Sequence, residues 1–164
     1  VQSGTDSSVN NASSIAFLFE YQDIKGAFLG DSKPSVCMEG LKKFDIKGVY
    51  PLDFVKISHH GSISNTNIKL LKKLSTVNYL LSTNGHEKKV PSKVVIAKLL
   101  RDCIEENKSE ITLYCNYDWW ESQYHNKYFT QRDRQMYIDT KVLKVSLLGE
   151  EGTKVKDGMI LYGK

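Results

Sequence analysis

Val55-Lys56-Ile57-Ser58-His59-His60-Gly61-Ser62 reads as an apolar strand that stops at two imidazoles and a glycine. The same punctuation occurs on either side of it. Upstream, Ala27-Phe28-Leu29 runs into Gly30-Asp31-Ser32; downstream, Tyr79-Leu80-Leu81 runs into Ser82-Thr83-Asn84-Gly85-His86. In an α/β protein, functional groups collect where strands end and loops begin, because the sheet fixes the backbone while the loop aims the side chain. One carboxylate and three imidazoles at the ends of three successive strands are the ingredients of a zinc- or manganese-type site. Two ligand types on separate strands cannot close such a site alone.

Working outward, Ile15 to Tyr21 and Ala27 to Leu29, joined by a turn from Gln22 to Gly26, predict a hairpin. Pro34 to Phe44 carries Val36, Cys37, Met38, Leu41 and Phe44 at helical spacing, with Pro34 near the start, where a missing N–H costs least. The loop Gly48 to Asp53 leads into a strand from Phe54 to Ile57. Ser64 and Asn65 are N-cap candidates for a helix from Thr66 to Leu74, followed by a strand from Val77 to Ser82. A helix from Ser92 to Asn107, capped by Ser92, completes a strand–helix alternation that predicts an α/β layer. Beyond Ser109 the texture changes. Strands are expected at Ile111 to Tyr117, Lys141 to Leu148 and Met159 to Tyr162, around a long aromatic and polar stretch from Asp118 to Asp139. The chain therefore divides into a Ser/Asn-rich loop over 1–14, an α/β core over 15–108 and a β-rich extension over 109–164, within one domain or a piece of one.

A length of 164 residues with 40% apolar and 26% charged residues suits a folded domain with a sizeable core. The net charge of +4 comes from dispersed lysines, a pattern compatible with an anionic substrate and equally with solvated helix faces. No apolar run approaches the roughly 20 residues that span a bilayer, and Val1 to Asn11 lacks the basic and apolar regions of a signal peptide. Cys37, Cys103 and Cys115 form no C-x-x-C pair and are expected to be small buried thiols in a reducing compartment, with the cytoplasm as the default location.

Gly30-Asp31, then His59-His60-Gly61-Ser62, then Gly85-His86, each after an apolar strand, resemble the metallo-β-lactamase-fold hydrolases. The branch most similar contains the hydrolase domain of DNA-uptake channel proteins and a bacterial phosphorylcholine esterase. The resemblance runs from about Asn11 to Leu100 and includes the Asn-Asn-Ala-Ser-Ser-Ile opening and the strand Asp53 to Ile57. Such hydrolases are αββα sandwiches of two α/β halves, with a metal site between the sheets. Their first half supplies an H-x-H-x-D-H cluster, which this sequence lacks: its histidines are His59, His60, His86 and His125. The resemblance thus implies the second half of the sandwich, a mixed sheet with helices on one face and a C-terminal β-rich extension. The expectation is a truncated piece of a longer protein, with a split half and a degenerate relative as the alternatives.

On that resemblance, Asp31 corresponds to a carboxylate bridging two metal ions and His60 to a metal-ligating imidazole. A site of zinc, or manganese, is implied, dinuclear in the intact protein and weak or absent here. His59 becomes a supporting residue, since adjacent side chains of an extended segment point to opposite faces. His86 corresponds to a substrate-contacting residue or proton donor, though Glu87 stands where a proline is usual, and Asn84 helps orient substrate. The implied reaction is hydrolysis of a phosphodiester, in nucleic acid or a smaller molecule, by a metal-bound hydroxide. Expected partners are the missing N-terminal half or a second copy on the orphaned sheet face, with nucleic acid as a further candidate. Two other readings remain open: a non-catalytic assembly module with a relic site, and a nucleic-acid-binding accessory domain using the lysines and the aromatics from Trp119 to Phe129.

Overall fold

A computed structural model describes residues 13–85, 90–117, 119–120 and 129–147, together with the backbone of 155–156 and 159–160. The hairpin β1 (Phe17–Tyr21) and β2 (Ile24–Phe28) opens the chain, followed by α1 (Pro34–Lys43), β3 (Tyr50–Pro51) and β4 (Phe54–Lys56). Next come α2 (Ile68–Lys73), β5 (Leu74–Ser75), β6 (Asn78–Leu81), α3 (Lys93–Glu105) and β7 (Ile111–Cys115). Then follow α4 (Gln131–Ile138) and β8 (Leu143–Leu147), with short strands β9 (Val155–Lys156) and β10 (Met159–Ile160) last.

The result is an α/β fold whose six-stranded mixed sheet has the order β1-β2-β4-β6-β7-β8. Only β1 runs antiparallel to its neighbour; the other pairings in this sheet are parallel. A parallel pairing needs a crossover, and one described helix lies in each of the connections β2–β4, β4–β6, β6–β7 and β7–β8. From β2 to β8 the sheet grows in one direction, without reversal. Crossovers of the usual right hand then leave every helix on the same face, because only a reversal of strand order sends helices to the other side. The topology itself produces one covered and one open face.

Burial along the strands follows this division. Ala27, Val55, Tyr79 and Leu113 stand in register across four strands and are 0–1% exposed, under the helices. Burial of Val55 and of Leu113 contributes about 1.5–3 kcal/mol each. The next register row, Phe17, Phe28, Lys56, Leu80 and Tyr114, lies on the open face. There Phe17, Phe19 and Tyr21 are 50%, 39% and 62% exposed. The Phe28 ring lies against those of Phe17, Phe19 and Phe54, with centroids 5.0, 6.5 and 5.5 Å away. Gly26 faces Phe54 across the sheet, and a Cβ on Gly26 would lie 2.2 Å from that ring, so only glycine lets the ring settle over the strand.

The helices are set by local chemistry. Pro34 starts α1, which turns Cys37 and Leu41 inward. Ser92 caps α3 by accepting the Val94 N–H, and Val95, Ile96, Leu99, Leu100 and Cys103 form its buried stripe. Two sequence expectations need correction. The cap of α2 is Asn67, whose side chain accepts the Leu70 N–H at 2.8 Å, because Asn65 is engaged elsewhere and Ile63–Asn65 forms a separate 3₁₀ turn. The long stretch between the last sheet strands also contains α4, held by a capping box between Thr130 and Asp133. The extension is thus continuous with the core sheet.

Trp119, Trp120, Phe129 and Tyr137 form a chain of ring contacts and are buried. The Tyr137 hydroxyl donates to the Lys93 carbonyl, tying this cluster to the start of α3. These aromatics therefore anchor the core, which removes Trp119, Trp120 and Phe129 as a base-stacking surface. His125 lies outside the described residues. Cys37, Cys103 and Cys115 are buried free thiols, as their apolar neighbours predict. Among the described residues no helix is long and apolar enough to cross a membrane.

Candidate functional site

The loops leaving β2 and β4 are fastened together by a buried polar scaffold. The Ser14 hydroxyl accepts the Asp31 N–H at 2.8 Å, and the Ser32 hydroxyl donates to the Ser14 carbonyl at 2.9 Å. The Ser58 hydroxyl donates to the Ser32 carbonyl at 2.9 Å, and the His59 N–H donates to the Gly30 carbonyl at 2.8 Å. Asn65 closes the set. Its amide nitrogen donates to the carbonyls of Asp31 and Ser32 at 2.9 and 3.4 Å, and its side-chain oxygen faces His59 Nδ1 at 3.1 Å. Ser32, Ser58 and Asn65 are at most 1% exposed, so water cannot replace these bonds.

Carbonyl oxygens only accept, which fixes the orientation of Asn65: the NH₂ must face Asp31 and Ser32, leaving the oxygen toward His59. His59 Nδ1 must then carry its hydrogen. The same reasoning applies to His60, whose Nδ1 lies 2.6 Å from the Ser82 carbonyl just beyond β6. With Nδ1 bound to an acceptor oxygen, Nε2 is the nitrogen that each ring can present as a ligand or base.

The backbone under the pair differs from the extended segment assumed from sequence. His59 (φ 46°, ψ 51°) and His60 (φ 53°, ψ 25°) are both left-handed, within a short turn from Ser58 to Gly61. Two successive non-glycine residues in this region cost roughly 1–3 kcal/mol each, a strain that clusters at functional sites. The two side chains part company through different hydrogen-bond partners, not through strand alternation. Their ring centroids are 6.1 Å apart. Gly61 follows at φ 81°, where a Cβ would come within 2.9 Å of Pro91, so the turn depends on glycine twice over.

Asp31 is half-buried, and among the described residues its carboxylate accepts no hydrogen bond and makes no salt bridge. Asn84 is exposed on the loop after β6, beside Thr83, whose N–H is held by Asn116 at 3.0 Å and whose hydroxyl accepts the Gly85 N–H. His86 lies outside the described residues. Among those residues no three His, Cys, Asp or Glu side chains converge into a metal-holding group. The donor set of Asp31 and His60, one oxygen and one nitrogen type, fits zinc or manganese but supplies too few ligands to fill either ion's coordination shell.

Sequence reading missed Asn65 and Lys56. Asn65 carries a visible signal, an amide six residues beyond His59, but the same residue type before a helix reads first as a cap. Lys56 reads as an ordinary strand residue until the sheet shows which face it occupies. No protein-family model, curated protein or solved structure matches this chain.

Proposed function

We propose that this chain is one α/β layer of a two-layer, metal-dependent hydrolase, completed when a second layer covers the open sheet face. Two features of the one sheet carry this reading. A parallel sheet normally has both faces covered, yet here the face away from the helices leaves Phe17, Phe19 and Tyr21 of the edge strand exposed and Phe28, Lys56, Leu80 and Tyr114 half-buried. At the C-terminal ends of β2 and β4 lie Asp31 and His60; among the described residues the Asp31 carboxylate accepts no hydrogen bond and makes no salt bridge, and His60 is held by the Ser82 carbonyl.

In the completed protein, Asp31 and His60 hold the metal, zinc or manganese, together with ligands from the covering layer. When bound, the metal lowers the pKa of a water toward neutrality and polarises a phosphoryl oxygen. Asn65 and Ser82 keep the two imidazoles in one tautomer, and the scaffold of Ser14, Ser32 and Ser58 fixes the Asp31 loop against His59. Asn84 and His86 follow β6 and are assigned to the substrate side. A phosphodiester is the substrate class of choice, with nucleic acid as one source.

The test is turnover of bis(p-nitrophenyl) phosphate with added zinc or manganese. The chain alone is expected to be inactive. Assembly with a covering layer that contributes histidine and aspartate ligands is expected to give turnover that is lost in Asp31→Ala and His60→Ala. Robust turnover by the chain alone, abolished by Asp31→Ala, would show that it needs no second layer. The exposed aromatic face also favours a second reading, a non-catalytic assembly module. That reading requires the assembled protein to stay inactive and indifferent to Asp31→Ala.

A further inference from the structure

We propose that Lys56 is the residue that holds the anionic group of the ligand at this site, its ammonium taking a phosphate-type oxygen on the open sheet face. The substrate identity rests on the hydrolase reading; the anion-holding role does not. Lys56 ends β4 and stands in register between Phe28 and Leu80, on the face that leaves the helices behind. The site loops emerge from the same strand ends: Leu29 N–H donates to the Lys56 carbonyl at 3.4 Å, two residues before Asp31. A charged side chain is a costly choice between Phe28 and Leu80, in a row that also holds Phe17, Tyr114 and Ser146.

The ammonium is poorly employed by the fold. Its Nζ donates to the neighbouring Ile57 carbonyl at 3.3 Å, and an ammonium has three donors. Among the described residues no carboxylate lies at salt-bridge distance from it. Three other half-buried lysines are engaged: Lys72 pairs with Glu105 and Glu106 at 3.0 and 2.9 Å, Lys108 with Asp102 at 2.6 Å, and Lys73 donates to the Ile46 carbonyl at 2.6 Å. Burial pushes the Lys56 ammonium below the usual lysine range, and the charge of Asp31 opposes that shift, so the two groups sense each other. The remaining donors of the ammonium suit an anionic oxygen of a ligand.

The probe is inorganic phosphate, titrated into the ¹⁵N-labelled chain while the amides of Gly30, Asp31 and Lys56 to Gly61 are followed. Saturable shifts are expected in the parent chain and in Lys56→Arg. In Lys56→Met, which keeps the stem without the charge, the phosphate dissociation constant is expected to rise about tenfold, the loss of one charge-assisted hydrogen bond. Lys56→Gln serves if Lys56→Met fails to fold, as judged by the amides far from the site. The comparison is repeated in the Asp31→Asn background without metal, where the dependence on Lys56 is expected to persist. Equal phosphate affinity with and without the Lys56 charge, or no saturable shift in any variant, overturns the proposal. Failure of zinc to bind at Asp31 and His60, with the Lys56 dependence intact, instead overturns the hydrolase reading alone.

Discussion

Replacing Asn65 with alanine removes the amide that joins the β2 and β4 loops. The Ser32 carbonyl keeps the Ser58 hydroxyl at 2.9 Å, so it is not orphaned. The Asp31 carbonyl loses its 2.9 Å donor and His59 Nδ1 its 3.1 Å acceptor. A buried polar group left unpaired costs about 1–3 kcal/mol, and His59 is only half-buried, so water recovers part of its loss. The expected total is about 2–3 kcal/mol, which for a chain of this size is a fall in Tm of roughly 4–12 °C. Asn67→Ala is the control. It deletes an N-cap of the same chemistry two residues away, with an expected cost of about 1 kcal/mol. Urea denaturation followed by circular dichroism compares the two variants directly. An Asn65→Ala cost no greater than that of Asn67→Ala would refute the reasoning, because Asn65 would then be an ordinary turn residue.

The open face should drive association: the parent chain is expected to form dimers at micromolar concentration, and Phe19→Lys to be monomeric in light scattering with its Tm essentially unchanged. Concentration-independent monomers of the parent would show that the face is covered within the chain. Burial raises the Cys37 thiol to about 11, and Cys103 and Cys115 are also buried, so a disulfide reagent at pH 8 should label none of the three before unfolding and all three in denaturant. Asp133 is held below the usual carboxylate range, first by the Thr130 backbone N–H and then by the Thr130 hydroxyl and Lys93. Its folded pKa is depressed, so its contribution is present above the unfolded value and lost as pH falls through the folded one. Asp133→Asn should therefore cost about 0.5–1 kcal/mol at pH 7, allowing for solvent screening, and the gap should close below about pH 4 in denaturation at each pH.

Much of the fold is legible in the sequence because strand and helix alternate with clean apolar periods, and the exposed aromatics Phe17, Phe19 and Tyr21 alternate as an open sheet face requires. The helix α4 escapes that reading since only Arg134 and Tyr137 turn inward, too few to mark a period; its capping box, Thr130 with Asp133, is the signal that remains. At the site, Asp31, His59 and His60 stand out as residue types at strand ends. What surrounds them does not. The left-handed backbone of the histidine pair arises from the docking of Ser58 to Gly61 against the Asp31 loop, a tertiary event with no local signature. Lys56 acquires meaning only from the register that sets it between Phe28 and Leu80.

Zinc uptake at Asp31 and His60 tests the central claim most directly. Zinc is titrated into the ¹⁵N-labelled chain at neutral pH while the histidine ring nitrogens are followed by NMR. The account predicts a weak, saturable shift at His60 Nε2, with Nδ1 still protonated against Ser82, because two protein ligands leave the remaining positions to water. Asp31→Asn and His60→Gln should each abolish it. A His60 ring that ignores zinc, or a response undiminished in Asp31→Asn, would contradict the account.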